Sequence, residues 1–289
     1  MRVLRGLALV ALLFAGSCGD GPNKPDPIDP PPPPPPVNNS APVITSITVQ
    51  GTKRNEPPAY SDVGETVAVS GVVTDAESNV DALQYNWTAT LGSFTGTGAR
   101  VSWVAPATAT TPVTVTITLE VVERFGTNQE NRVSKTATLA LHDNVKEVGD
   151  MAVRFLTEFS KPQTNKDLND IMRDFKASVC PVPGEVTDEQ TQVRNHYQNF
   201  FMNNYQVGAP RVTVDFGGTC IDGFGPLRGD ACAAVPVMWD STDLRTNVRG
   251  TTRGTDYLTA MFVAAENRWW LCSSRLPPSA TLGNPFYLR

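Results

Sequence analysis

Arg245, Asn247, Arg249, Thr251 and Arg253 fall at every second position, and alternate residues of an extended strand share one face. Three guanidiniums on one face form a candidate anion-binding stripe, able to grip a carboxylate, a phosphate or a sulfated glycan through paired N–H donors. The plainer account is a solvated outer face answered by Asp240, Asp243 and Asp256, of the kind that protects an edge strand. Cysteines carry the second chemistry. Beyond Cys18 there are Cys180, Cys220, Cys232 and Cys272, none in a C-x-x-C pair. With only His142 and His196 to complete a site, zinc is not expected. Asp75, Glu77 and Asp81 crowd one turn, where carboxylates either collect calcium or cap a polar turn. Arg228-Gly229-Asp230 spells an integrin-type tripeptide, although Gly-Asp is also ordinary turn chemistry. Asn86-Trp87-Thr88 matches a glycosylation sequon within an expected strand.

The elements that must position these groups begin with a targeting segment. Arg2 and Arg5 precede an apolar run, Gly6 to Phe14, that is too short to span a bilayer as a permanent helix. Ala15, Gly16 and Ser17 then lead into Cys18. This order resembles the lipobox of bacterial lipoproteins, departing from it at Ala15, where the family usually has Leu. The resemblance implies a signal peptide over 1–17, acylation of Cys18 (palmitate among the chains) and a membrane anchor. Asp20 stands two positions past the cysteine rather than beside it, which by the same resemblance implies sorting to the outer membrane, facing the periplasm or the exterior. Loss of Arg2 and Arg5 moves the formal charge from -5 to -7, an acidic balance that argues against nucleic acid. Residues 18–40 form a tether containing Pro30 to Pro36, which should extend as polyproline II at ~3.1 Å per residue. In an exported chain the four later cysteines give two disulfides with three possible pairings. Cys220–Cys232 is preferred, because these two flank a Gly- and Pro-bearing loop between strand-like runs, leaving Cys180–Cys272.

Residues 41–143 read as all-β. Ile44-Ile47-Val49, Val67-Val69, Leu83-Tyr85-Trp87, Val101-Trp103, Val113 to Val121 and Val133 to Leu141 alternate apolar with polar residues, the pattern of half-buried strands in a sandwich. Tyr85 to Phe94, followed by Val101-Ser102-Trp103-Val104-Ala105-Pro106, resembles the bacterial Ig-like and PKD-like domains of surface proteins. That likeness implies a spacer or adhesive module without catalytic residues.

Residues 144–289 open helically: Val148, Met151, Ala152, Phe155 and Phe159 make one apolar stripe. A second short helix carries Leu168, Ile171, Met172 and Phe175. Thr187 and Gln190 predict a capping box starting a helix that runs through Val193 and Tyr197 to Phe200 and Phe201. Strands are expected over 211–221, 231–239, 243–252, 257–265 and 268–274. Helices followed by antiparallel strands, closing on Tyr257 to Cys272, resemble the NTF2-like fold, with a cystatin-like α+β arrangement as its near neighbour. The likeness implies a bent sheet wrapped on a helix, and in some members an acid or base inside the resulting cone. Here those positions would be His196, Tyr197, Asp215, Asp240 and Tyr257, although no spacing among them marks a catalytic set. No cofactor is expected. The sequence therefore points to an Ig-like sandwich followed by an α+β domain, in a lipid-anchored envelope protein that binds or scaffolds a partner protein or anionic ligand. The alternatives are an enzyme of isomerase, dehydratase or hydrolase type using the cone, and a purely structural envelope component.

Overall fold

The structure, a computed structural model, describes residues 38–161, 167–222 and 225–275, without the side chains of 220–227. The targeting segment, Cys18 and the proline run lie outside the described residues. The chain is mostly β, arranged in several sheets with a few helices.

Its first half supplies eight strands: β1 (Val43–Gln50), β2 (Tyr60–Asp62), β3 (Thr66–Thr74), β4 (Gln84–Ala89), β5 (Ser93–Thr95), β6 (Arg100–Val104), β7 (Val113–Phe125) and β8 (Gln129–His142). They form two four-stranded sheets, ordered β1-β3-β6-β5 and β2-β8-β7-β4. Period-two alternation fixes which face is buried. Val67, Val69 and Trp103 of one sheet meet Val115, Ile117, Leu139 and Leu141 of the other in one apolar cluster. β7 and β8 pair without interruption from Val113↔Leu141 to Phe125↔Gln129. Trp103 is fully buried, and its indole N–H donates to the Leu91 carbonyl at 2.9 Å. Gly92 lets the chain pass over this ring: at its φ of +76°, a Cβ would lie 2.5 Å from the Val104 carbonyl oxygen.

The second half adds α1 (Asn144–Ser160), α2 (Leu168–Ile171) and α3 (Glu185–Asn199), then β9 (Phe200–Val207), β10 (Arg211–Val214), β11 (Thr219–Asp222), β12 (Gly225–Arg228), β13 (Ala231–Asp243), β14 (Arg249–Val263) and β15 (Arg268–Arg275). Strands β10, β13, β14 and β15 make a curled antiparallel sheet, to which β9 adds along the far part of β13. Asp143 caps α1, accepting the Lys146 N–H at 3.0 Å, and the helix buries Val148, Ala152, Phe155 and Leu156 against the sheet.

Several expected elements differ. The second short helix ends at Ile171, and Phe175 instead bridges to Leu271. Helix α3 starts at Glu185 behind Gly184 in the left-handed region, so no capping box forms, and Thr187 is an interior residue whose carbonyl accepts the Thr191 hydroxyl. It also stops at Asn199: Phe200 onward pairs with β13, because alternating Phe200 and Met202 bury better against a sheet than around a helix. The strand expected over 211–221 breaks at a turn through Gly217, and those expected over 243–252 and 257–265 merge into the single β14.

Candidate functional site

The NTF2-like likeness leaves both an open and a packed cone possible, and the described second half holds an apolar core. Phe155, Trp239 and Trp269 are at most 2 % exposed and share one cluster with Phe175 and Phe216. His196 is 4 % exposed, with its ring stacked on Phe159 at 4.4 Å and on Phe200 at 5.5 Å. Tyr197 lies beside it, and burial followed by the Glu158 charge raises its phenol above the usual range. Asp215 sits elsewhere, exposed past the end of β10, where its N–H donates to the Asp230 carbonyl at 2.9 Å. β10 pairs with β13 at Ala231 while Phe159 meets Trp239, so eight residues of strand, on the order of 25 Å, lie between the Asp215 and His196 ends. Tyr257 is half-buried in β14, in register with Ala234 and Arg275. The structure thus brings His196 and Tyr197 together and leaves Asp215 apart.

A different titratable group is assembled where α3 covers the free edge of β15. Glu185 and Glu189, one turn apart, face the strand. The Ser274 N–H, an edge-strand donor, reaches Glu189 Oε2 at 3.1 Å, and the Ser274 hydroxyl donates to Asp256 Oδ1 at 2.9 Å. Glu189 and Asp256 are 6 % and 4 % exposed. Burial first, then the Asp256 charge, push the Glu189 carboxyl up to about 8, and burial pushes Asp256 up to about 6. Burial also raises Glu185. Arg275, the cation beside this seam, is exposed. The middle of the β15 edge is met by the segment before α3: Leu271 N–H donates to the Asp174 carbonyl at 2.7 Å, and Cys180 is disulfide-bonded to Cys272 with the Cα atoms 5.5 Å apart. Every ladder group so covered is withheld from pairing with another chain. The legible signal was the spacing of Glu185, Glu189, Val193 and His196, which places two acids on the helix stripe that carries its apolar residues.

A second buried polar group joins the two halves. Tyr60 Oη and Trp269 Nε1 both donate to Asn144 Oδ1, the latter at 3.1 Å, and Asn144 N–H donates to Asp62 Oδ1 at 3.1 Å. His142 is fully buried, its ring nitrogens each 2.8 Å from Glu147 Oε2 and Asn267 Oδ1, and it stacks on Tyr60 at 5.0 Å. Apart from His142, sequence reading passed over these residues because the network draws on β2, β8, α1, β15 and the turn before β15, which lie far apart in the chain. Of the two histidines, neither lies in an open site.

The arginines divide. Arg245 and Asn247 belong to the turn between β13 and β14 rather than to a strand, and Arg245 is paired with Asp243 at 3.1 Å. Arg249 and Arg253 lie on the exposed face of β14, with Thr251 between them donating to Asp240 at 2.7 Å. Asp75 accepts the N–H groups of Glu77 and Ser78, which is turn capping, and Glu77 accepts from Ser40. Among the described residues no cluster of His, Cys, Asp or Glu has the geometry of a metal site. Asp230 of the integrin-type tripeptide is buried and accepts the N–H groups of Gly217 and Phe262 at 2.7 and 3.0 Å, so it faces inward rather than being displayed. Asn86 hydrogen-bonds Glu120 across the β4–β7 pair at 2.9 Å. Cys232 is disulfide-bonded, and the Cys220 side chain lies outside the described residues. No protein-family model and no curated protein matches the chain.

Proposed function

We propose that this chain is a lipid-anchored cell-envelope protein, without catalytic activity of its own, in which an Ig-like sandwich holds an NTF2-like α+β module that binds or scaffolds a partner. The observation that carries the reading is the apolar core of the second half, in which Phe155, Trp239 and Trp269 are each at most 2 % exposed. Binding then falls to the outer surface. The Asn144 and His142 contacts support it further, since two buried networks across the junction suit a rigid arm better than independently moving modules. An enzyme would need an acid or base beside accessible space. His196 lies between aromatic rings, and Glu189 and Asp256 are closed off by α3.

The anchor is tested by labelling cells that express the full chain with an alkyne-bearing palmitate. Incorporation is expected in the parent and lost in Cys18→Ser. Label that persists in Cys18→Ser, or a parent that takes up none, would remove the lipoprotein reading.

A further inference from the structure

The end of β14 remote from the junction carries exposed apolar side chains that the fold does not use. Phe201, Leu244 and Val248 are 39, 50 and 62 % exposed. They lie together: Asp243 N–H donates to the Val248 carbonyl at 2.8 Å to close the turn, and Leu244 N–H donates to the Asn199 carbonyl at 2.8 Å. Phe201 and Arg249 both pair with Thr242, so the two flank it on one side of the sheet. Arg249 and Arg253 have no ion-pair partner among the described residues, whereas Arg245 is held by Asp243. A chain of net charge -5 therefore places two guanidiniums without a direct ion pair beside three exposed apolar side chains, with Asp240, which accepts from Thr251, as the carboxylate on the same face. At the other end of β14, past Val263, Asn267 meets His142. Tip and junction are thus separated by the length of the strand, roughly 45 Å.

We propose that this tip docks on an anionic lipid bilayer, with Leu244, Val248 and Phe201 entering the headgroup layer and Arg249 and Arg253 meeting lipid phosphates. The proposal deepens the reading above, resting on its view that the second half acts through its outer surface. Three apolar side chains fall far short of the roughly 800 Å² per partner that a standard protein interface buries. A bilayer asks less: shallow insertion of a few apolar residues with basic neighbours gives a reversible contact. Charge complementarity selects anionic over zwitterionic lipid.

The test floats the full chain carrying Cys18→Ser, so that no acyl group contributes, with phosphatidylglycerol vesicles and with phosphatidylcholine vesicles. The bound fraction on phosphatidylglycerol is expected to fall about tenfold in Leu244→Ser/Val248→Ser and in Arg249→Glu/Arg253→Glu, and to weaken with salt. Parent and variants share residues 1–17, so a fall in binding between them reports the tip. Equal binding by parent and variants, equal binding to both lipids, or no vesicle binding by the parent would overturn the proposal. So would crosslinking of a protein at the tip without vesicle binding. Acylation at Cys18 is scored separately, so a failure at the tip with intact labelling refutes the docking proposal alone.

Discussion

Glutamine in place of Glu189 keeps a carbonyl oxygen for the Ser274 N–H, which lies 3.1 Å from Oε2 in the parent, and removes the titrating proton. Glu189 is raised from 4.5 to about 8, by burial first and by Asp256 second. A group whose folded pKa exceeds its unfolded one stabilises fully below the unfolded value and loses that contribution as pH rises through the folded value. The window here runs from pH 4.5 to about 8. At 1.36 kcal/mol per unit, the parent should lose about 4 kcal/mol across it through this carboxyl. Asp256, raised by burial from 3.8 to about 6, acts in the same direction over a lower window. Since the two carboxyls interact, their contributions do not add. Urea unfolding followed by tryptophan fluorescence at pH 4.5, 6, 7 and 8.5 reads the effect, with Trp239 and Trp269 as buried reporters. The Glu189→Gln profile should be flatter than the parent's by at least about 2 kcal/mol, with an unchanged m-value. Parallel profiles would show that Glu189 does not bind its proton in the folded chain, and the account of the α3–β15 seam would fail.

Asn144→Leu leaves the buried Tyr60 hydroxyl and Trp269 indole N–H without their shared acceptor, which should destabilise by about 3 kcal/mol and lower the melting temperature. A melting temperature within a degree of the parent's would mean that the junction is held by packing alone. Removing the Cys180–Cys272 bridge as a double Ser variant opens a loop of 92 residues in the unfolded chain and should reduce stability by up to about 4 kcal/mol. Amides of β15 should then exchange faster, and unchanged exchange there would show that Glu189 and Asp174 suffice to hold the edge.

Much of the fold was legible because its signals are local. Period-two alternation in Val113 to Val121 specifies a strand with one buried face whatever lies opposite, and the 148-151-152-155-159 stripe likewise specifies α1. Where signals competed, tertiary pairing won. Phe200 and Phe201 continue a helical pattern on paper, but β13 offers them a ladder, and they extend as β9. The arginine stripe misled in the same way: alternation from 245 to 253 is real in the sequence, yet the positive φ of Asn247 turns the chain before β14 begins at Arg249.

The candidate site was hidden for a different reason. Burial of a carboxylate is a property of what surrounds it, and Glu189 meets Ser274 and Asp256 from strands 67 and more residues away in the chain. Taken alone, the sequence determined composition and periodicity: an acidic chain, a β-rich first half, helices ahead of sheet in the second, and a polyproline run that cannot enter a ladder. Tertiary structure alone decided which apolar residues of the second half share one core, that Glu189 and Asp256 are buried around Ser274 of an edge strand, and that Phe201 joins Leu244 and Val248 at one tip. The physical reason is that side-chain period and backbone propensity act over a few residues, whereas desolvation and packing depend on which distant surfaces close on one another.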